Sequence, residues 1–282
     1  MNASLDKRVE KTKQALSEAD HILIGGGAGL SAAAGLLYSG PRFTERFRTF
    51  IDKYKFTDLY TSSFYPFTSE TEKWAYWAHH ISLNRYETGV TPLYRDLYRL
   101  VSDRSYFVIS TNVESQFTKA GFPESRVFEI QGDYGYLQCE KGCHDKLYEN
   151  EEWIAEMVAH TKNCEIPQHL VPVCPVCGGP MDVNLRKDQH FVQDYRWYET
   201  AERYQAFAQQ TLTAKSVYLE FGVGFNTPGI IRYPFETFTA HNEQAALIRF
   251  NRDHPDGALE IAARTISFTE PINEVVTALL DF

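Results

Sequence analysis

A glycine-rich stretch near the start of the chain has the residue types and the spacing that hold a pyrophosphate. A short apolar run at 22–24 leads into Gly27-x-Gly29-x-x-Ala32, which fits the Ala-ended form of the dinucleotide-binding fingerprint. Glycines let the backbone approach a phosphate, and the free N–H groups of a first helical turn favour its charge. The alternative is a tight strand-to-helix turn without a ligand. The candidate binding residues are Gly27, Ala28, Gly29, Ser31 and Ala32, of which Ser31 either caps the helix or bonds a phosphate.

Two polar clusters follow strands that composition predicts further along the chain. Asn112 and Glu114 come directly after the apolar segment 105–110, and Gln131 and Asp133 follow the segment 126–130. Ligands of open α/β sheets bind at the carboxyl ends of the strands. We therefore expect these four side chains to share one site with the glycine-rich turn.

The five cysteines all lie between positions 139 and 177, a clustering that indicates metal binding rather than disulfides. Cys139-x3-Cys143 and Cys174-x2-Cys177 form two pairs, and four thiolates suit a tetrahedral Zn²⁺ in a closed structural site. The glycines after the second pair let backbone N–H groups turn toward the thiolates. His144 and Cys164 are alternative ligands, and free thiols in a loop-rich insert are the other interpretation.

Strands and helices alternate along most of the chain, which predicts a parallel α/β sheet. The expected fold is a Rossmann-like parallel sheet with helices on both faces, plus a small zinc-binding insert module. Residues 1–133 and 186–282 form the Rossmann-like domain in this prediction, 134–185 form the zinc module, and the helical segment 36–102 contributes to the small domain. The expected helices are at 5–19, 197–212 and 271–281, with two more within 69–102, and the expected strands are at 21–25, 105–110, 126–130, 215–221, 245–250 and 264–268.

Composition limits the class of protein. The 282 residues, 43% of them hydrophobic, are enough for one large domain with a smaller insert. A net charge of −9 argues against nucleic acid as the main partner. Residues Met1–Lys13 are polar and charged with no signal-peptide core, and no apolar run reaches the length of a membrane span. We therefore expect a cytoplasmic location and no membrane partner.

The order and spacing of these motifs resemble those of the sirtuins, NAD-dependent enzymes with a Rossmann domain and a zinc-binding insert. The resemblance extends from Gly27–Ser31 through the polar clusters and the four cysteines to Asn251. It implies NAD as co-substrate and one structural zinc ion per chain. It also implies that Asn251 bonds the adenosine ribose, unless it is only a turn residue at a strand end. The residues that the resemblance places along the adenosine half of NAD are Gly222, Gly224, Asn226 and Asn251.

Three departures from the usual sirtuin motifs bear on the reaction. Sirtuins have Gln-Asn-Ile-Asp where this chain has Thr-Asn-Val-Glu at 111–114, and His-Gly where it has Gln-Gly at 131–132. The segment 38–43 replaces a Pro-Asp-Phe-Arg stretch, and a mobile flap is one interpretation of this loop. These changes resemble the macrodomain-linked, class M sirtuins of bacteria. That resemblance implies ADP-ribosylation of a lipoylated carrier related to the glycine-cleavage H protein, reversed by a macrodomain hydrolase.

The resemblance also suggests roles for the polar residues. Asn112 would orient the nucleophile or a water molecule, or is only a turn residue, and Glu114 would contact the nicotinamide carboxamide. Gln131 would hydrogen-bond the ribose hydroxyls, or is only a surface amide. Its amide cannot serve as the base that the sirtuin histidine provides for deacylation. Asp133 would position the acceptor or a ribose hydroxyl, or is a solvated loop carboxylate. Arg42 reaches a phosphate or is solvated.

Three functions are compatible with the sequence. The first is an NAD-dependent protein ADP-ribosyltransferase acting on a lipoyl carrier, and Gln131 favours it. The second is an NAD-dependent lysine deacylase, which Gln131 disfavours. The third is an NAD sensor that keeps the Gly27–Ser31 turn and Asn251 but releases no nicotinamide.

Overall fold

The computed structural model describes residues 4–280, which fall into two compact units. The first unit comprises Met1–Ala34, Val90–Gln131 and Arg196–Phe282, and the second comprises Gly35–Gly89 and Gly132–Tyr195. Residues 1–3 and 281–282 lie outside the described part of the chain, so the start of the polar N-terminal segment and the last residue of the predicted helix 271–281 are not covered.

The described residues form nine strands and twelve α-helices. The strands are β1 (His21–Gly26), β2 (Tyr106–Ser110), β3 (Val127–Glu129), β4 (Gly132–Cys139), β5 (Tyr148–Glu149), β6 (Met181–Leu185), β7 (Ser216–Phe221), β8 (Ala245–Phe250) and β9 (Thr265–Phe268). The helices are α1 (Leu5–Glu18), α2 (Ala28–Ala33), α3 (Pro41–Arg46), α4 (Arg48–Tyr54), α5 (Leu59–Ser62), α6 (Glu70–Ile81), α7 (Pro92–Val101), α8 (Gln116–Lys119), α9 (Glu151–His160), α10 (Tyr195–Thr211), α11 (Arg232–His241) and α12 (Ile272–Leu280).

The first unit is built on a six-stranded sheet with the order β3-β2-β1-β7-β8-β9, in which every neighbouring pair is parallel. Leaving out the strands of the second unit, this is the 3-2-1-4-5-6 order of a Rossmann fold. The strands are largely apolar, as expected where both faces of a sheet are covered. In β1, Ile22 and Ile24 belong to the core on one face and Leu23 to the core on the other. The Rossmann-like fold predicted from the sequence is confirmed.

Helices cover both faces of this sheet. Residues of α1, α2, α7 and α12 pack with Ile24, Val108 and Leu219 on one face. Residues of α10 and α11 pack with Leu23, Phe107 and Tyr218 on the other. The carboxyl ends of β1, β2 and β7 lie side by side, with Gly26 opposite Ser110 and Phe221. This register places the loops that follow these three strands at one edge of the sheet.

The second unit combines helices α3–α6 and α9 with the antiparallel sheet β5-β4-β6, which the sequence analysis did not predict. Its helical core is aromatic: the Phe47 ring lies 5.6 to 5.8 Å from the rings of Phe43, Phe50 and Tyr76. A π-helical turn, Ser82–Tyr86, continues α6. The antiparallel strands pair Cys139 with Met181 and so bring the first cysteine toward the segment that carries the second pair.

His80 is a structural residue of this core, fully buried among aromatic side chains. Its Nδ1 lies 3.1 Å from the Tyr76 hydroxyl and its Nε2 lies 2.9 Å from the Tyr134 hydroxyl. Because the Tyr76 hydroxyl donates to the carbonyl of Leu59, it accepts from His80 Nδ1. Burial lowers the pKa of His80 to about 3, so the imidazole is neutral near pH 7.

The boundaries between the two units differ from those expected. Residues 90–102 lie in the first unit, although the expectation grouped them with the small domain. Residues 132–133 and 186–195 lie in the second unit.

Within residues 4–280, no helix combines the length and the apolar character needed to cross a bilayer.

Candidate active site and metal centre

The glycine turn after β1 packs directly against the loop after β7. The Gly27 N–H donates to Phe221 O at 3.0 Å, and the Gly29 N–H donates to Gly222 O at 2.9 Å. A Cβ on Gly29 would lie 2.7 Å from Gly222 Cα, and one on Gly27 would lie 2.8 Å from Gly222 O. Gly222 has a φ of +61°, and a Cβ there would lie 2.4 Å from Leu30 N. These glycines are therefore required for close contact between two backbone loops.

Ser31 does not cap α2, and the capping alternative of the sequence analysis is wrong. Gly27 is the N-cap residue, and no side chain caps the helix. The Ser31 hydroxyl is buried and donates instead to Glu114 Oε1 at 2.5 Å. Ala28 and Ala32 are exposed on the same short helix.

Asn112 and Glu114, at the end of β2, meet Ser31 and Tyr94 in a buried group that we call the polar cluster. The Asn112 amide donates from Nδ2 to Gly27 O at 3.0 Å and to the Tyr94 hydroxyl at 3.2 Å. The Tyr94 hydroxyl lies 3.4 Å from Ser31 Oγ and 3.5 Å from Glu114 Oε1. The structure thus brings together three of the predicted site residues beside the glycine turn.

Two features shape the chemistry of Glu114. Its second carboxylate oxygen accepts the Val113 N–H at 3.1 Å. Burial raises the pKa of the Glu114 carboxyl, and the hydrogen bond from Ser31 opposes this effect.

The chain then turns into α8 through Ser115, whose φ of 55° is a left-handed conformation that serine seldom adopts. A conformation of this kind persists only where its surroundings hold it, and it is found often at functional sites.

Gln131 and Asn251 lie in loops of the same unit. The Gln131 amide Nε2 lies 3.4 Å from the Thr227 hydroxyl. Asn251 donates from Nδ2 to Val223 O at 2.9 Å, and its Oδ1 accepts the N–H groups of Asp253 and His254. Asn251 is therefore a turn residue that ties the loop after β8 to the loop after β7. Gly224 and Asn226 are exposed in the latter loop, and a Cβ on Gly224 would meet nothing within 4 Å.

Arg42 and Asp133 belong to the second unit, where both are held by protein partners. The Arg42 guanidinium donates to Asn84 Oδ1 at 2.8 Å and also to the carbonyls of Leu37 and Leu83. The Asp133 carboxylate is nearly buried and accepts from Arg85 Nε at 2.8 Å and from the Gly135 N–H at 2.7 Å. The sequence alternatives of a solvated Arg42 and a solvated Asp133 are therefore wrong.

The four predicted cysteines converge on one point of the second unit. Their Sγ atoms all lie within 4.8 Å of one another, and the Cys139–Cys177 and Cys143–Cys174 Sγ distances are both 3.7 Å. A tetrahedral ion with Zn–S bonds of about 2.3 Å requires sulfur atoms about 3.8 Å apart. The donor set and its spacing therefore fit zinc in a closed structural site.

The surroundings of the thiols agree with this assignment. Backbone N–H groups of Cys177 and Val176 point at the Cys174 sulfur and lower its pKa to about 6, which favours the thiolate. The His144 Nδ1 lies 3.1 Å from Cys143 Sγ, so the imidazole borders the cluster. Cys164 is buried in a separate turn, and the metal-competent group among residues 4–280 does not include it.

Comparison with known proteins shows the family. No protein-family model matches the chain. A protein ADP-ribosyltransferase of Staphylococcus aureus (strain Mu50) is 38% identical over 275 residues, which cover 97% of this chain and 87% of that protein. The chain belongs to this family of protein ADP-ribosyltransferases.

Other relatives and solved structures extend the comparison. A probable bifunctional ADP-ribose hydrolase/ADP-ribosyltransferase of Fusarium oxysporum f. sp. cubense is 32% identical over 244 residues, 83% of this chain and 40% of that longer protein. The structure of Sir2Tm bound to a propionylated peptide has a TM-score of 0.61 at 14% identity and covers 97% of both chains. A Sir2 homologue in complex with NAD has a TM-score of 0.56 at 16% identity, over 96% of this chain and 91% of that one. This ADP-ribosyltransferase family member therefore has the sirtuin fold that its motifs resemble.

Sequence reasoning missed two features of this family member. The sequence does not reveal a site role for Tyr94, because an aromatic residue at helical spacing is typical of a buried core position. The second feature is a buried ion network on β7, β8 and α11. Arg249 Nη2 and Glu220 Oε2 are 2.8 Å apart with both side chains fully buried, and Glu236 lies 2.8 Å from Arg249 Nη1. The sequence does carry one sign of this network: Glu220 and Arg249 are single charges inside two mostly apolar strands. The structure pairs these two positions in register.

Proposed function

We propose that the protein transfers ADP-ribose from NAD to a protein acceptor and releases nicotinamide. Three observations support this: a relative of 38% identity named as a protein ADP-ribosyltransferase, the sirtuin fold, and the polar cluster beside the glycine turn. The observation that carries the proposal is Gln131, which stands where the usual sirtuin motif has its catalytic histidine. An amide cannot accept a proton as the deacylation reaction requires.

Transfer to a carboxylate acceptor needs no such base. The bond between C1′ of the ribose and the nicotinamide nitrogen breaks, and its electron pair leaves with neutral nicotinamide. A bond then forms from C1′ to an acceptor oxygen. A carboxylate is already ionised near pH 7, so no proton has to be removed. The sugar passes through a cation-like state, as in glycoside hydrolysis, and the site must hold both partners in line.

The polar cluster supplies the groups for this positioning. The carbonyl of Gly27 can only accept a hydrogen bond, so the Asn112 atom that faces it is Nδ2. The amide oxygen of Asn112 is then the end available to orient the attacking group. Glu114 accepts from Ser31 and from the Val113 N–H, and its carboxylate would also accept the nicotinamide carboxamide N–H. Gln131 would hold the ribose hydroxyls.

We further propose a lipoylated carrier protein as the acceptor and a macrodomain hydrolase as the enzyme that reverses the modification. The class M features at 111–114 and 131–132 support the first part. The Fusarium relative supports the second, because its name combines ADP-ribose hydrolase and ADP-ribosyltransferase. The macrodomain would remove what the transferase adds.

The test uses labelled NAD with the purified protein and three acceptor conditions: a lipoylated carrier, the same carrier without lipoate, and no carrier. We expect label on the lipoylated carrier together with one nicotinamide released per ADP-ribose. The Asn112→Ala variant should lose on the order of 100-fold in rate, because misplacing the acceptor by about 1 Å costs this much. Nicotinamide release without label on any protein would contradict protein transfer.

Lysine deacylation is the second candidate, favoured by the fold likeness to Sir2Tm bound to a propionylated peptide. The same preparation is therefore assayed on acetyl-lysine peptides, where we expect negligible activity. Gln131→His restores the sirtuin residue, and Gln131→Asn is the control that keeps an amide. We expect neither to gain deacylase activity, because Thr111, Glu114 and the 36–43 loop also differ from the sirtuin pattern. Robust deacetylation by the unmodified protein would overturn the proposed function.

A further inference from the structure

The Tyr94 hydroxyl is the atom at which the polar cluster converges. It lies on α7, has no exposed surface, and faces Asn112 Nδ2 at 3.2 Å, Ser31 Oγ at 3.4 Å and Glu114 Oε1 at 3.5 Å. The ring itself is fixed by an edge-to-face contact with Phe117, with the ring centroids 4.9 Å apart. A hydroxyl held in this way joins one side chain of α2 to two side chains of the loop after β2.

Donor and acceptor chemistry gives these contacts a direction. The Asn112 Nδ2 atom carries only hydrogens, so the Tyr94 oxygen must accept from it. The Ser31 proton is used on Glu114 Oε1 at 2.5 Å. The Tyr94 proton therefore points to Ser31 Oγ or to Glu114, although these distances exceed those of ordinary O–H···O bonds. The resulting chain runs from the Asn112 amide through Tyr94 to the carboxylate.

Resting on the proposed function, we infer that Tyr94 is a positioning residue that fixes the orientation of the Asn112 amide. Both Nδ2 hydrogens are then engaged, one by Gly27 O and one by the Tyr94 hydroxyl. If the amide plane rotated, Gly27 O would lose its hydrogen-bond donor. If the amide flipped, its oxygen would face the Gly27 carbonyl oxygen, and two acceptors would oppose each other. Asn112 Oδ1 is accordingly held in one orientation, and under the proposed function this is the atom that orients the attacking group. Tyr94 acts through Asn112 and does not itself contact the reacting atoms.

The substitution Tyr94→Phe removes only the hydroxyl and keeps the ring on Phe117. Tyr218→Phe is the matched control: Tyr218 is equally buried, and its hydroxyl donates to Thr211, outside the polar cluster. We expect kcat of the Tyr94→Phe variant to fall by about 10- to 100-fold while KM for NAD changes by less than about twofold. The control variant should keep both constants, and thermal melting of both variants checks that they fold.

A second measurement does not depend on activity. In protein labelled with ¹⁵N-asparagine, the side-chain amide of Asn112 is identified by its loss in Asn112→Ser, and its exchange with water is followed by NMR. In the unmodified protein we expect slow exchange because both hydrogens are bonded and buried. The Tyr94→Phe variant should exchange at least about tenfold faster at this amide, and the Tyr218→Phe variant should not.

The two measurements separate the failure of this inference from the failure of the proposed function. If the unmodified protein releases no nicotinamide, the proposed function fails, and the amide exchange alone decides whether Tyr94 positions Asn112. Unchanged exchange at the Asn112 amide in Tyr94→Phe overturns the inference in every case. An unchanged kcat in an active Tyr94→Phe variant also overturns it.

Discussion

Replacing Gly29 with alanine separates two roles that a fingerprint glycine can have. One role is to let a pyrophosphate approach, and the other is to let two loops of the protein approach. The structure gives direct support for the second: an alanine Cβ at this position would lie 2.7 Å from Gly222 Cα and 2.8 Å from Gly222 O. Both neighbours are backbone atoms, so no side-chain rotation relieves the contact.

The expected loss of stability can be worked out from these contacts. Overpacking in a tight site costs about 1–3 kcal/mol, and the upper half of that range applies because backbone must move. Alanine also restricts the unfolded chain relative to glycine, which stabilises by about 0.4–1 kcal/mol. The net loss for Gly29→Ala is therefore about 1–2.5 kcal/mol. At about 2–4 °C per kcal/mol, Tm should fall by about 2–10 °C without any ligand.

Gly224→Ala is the matched control for this measurement. A Cβ there meets nothing within 4 Å, so only the unfolded-chain effect acts, and the variant should be as stable as the unmodified protein or slightly more stable. Denaturant unfolding of both variants without NAD isolates the contact, because the unfolded-chain effect is common to both. The change in Tm on adding NAD is then measured separately for each variant. If Gly29→Ala unfolds like Gly224→Ala, the packing explanation is refuted.

Two further predictions concern the second unit. Purified protein should contain about one zinc per chain by metal analysis. The Cys174→Ser variant should bind less than half of that amount and unfold at a lower temperature. Full zinc retention in this variant would contradict the assignment. The buried His80 has a pKa of about 3, against 6.5 for the ordinary side chain. Between these two pH values the imidazole takes up a proton in the unfolded state but not in the folded state. The free energy of unfolding should therefore fall as pH drops from 6.5 toward 3. His80→Gln should show a shallower fall in unfolding free energy over that pH range, and an unchanged pH slope would show that His80 is not the group responsible.

The sequence indicated those features whose signal is local. The parallel strands were predictable because a strand buried on both faces is a largely apolar run, as at 106–110. The zinc site was predictable because paired cysteines carry their ligand spacing in the sequence. The glycine turn was predictable as a turn, but its packing against Gly222 was not, because that contact joins loops almost 200 residues apart.

The features that the sequence did not reveal depend on tertiary pairing. Arg42 and Asp133 looked available for ligands, yet their partners Asn84 and Arg85 come from the π-helical turn that continues α6. Nothing in a helical pattern predicts that turn or the direction of its side chains. Tyr94 was equally hidden, because a buried tyrosine on an amphipathic helix shows its role only through what its hydroxyl meets.

With a metal ion bound, the four-cysteine centre would also act as a cross-link on the unfolded chain. Cys139 and Cys177 are 38 positions apart, and closing a loop of this size removes conformational entropy worth about 4 kcal/mol in the loop-closure relation used for disulfides. The enclosed stretch contains α9, which packs against α6. A metal ion bound early in folding would hold the two ends of this stretch together and so speed the packing of α9 against α6. The supply of metal would then affect the rate and the yield of folding of this part of the chain.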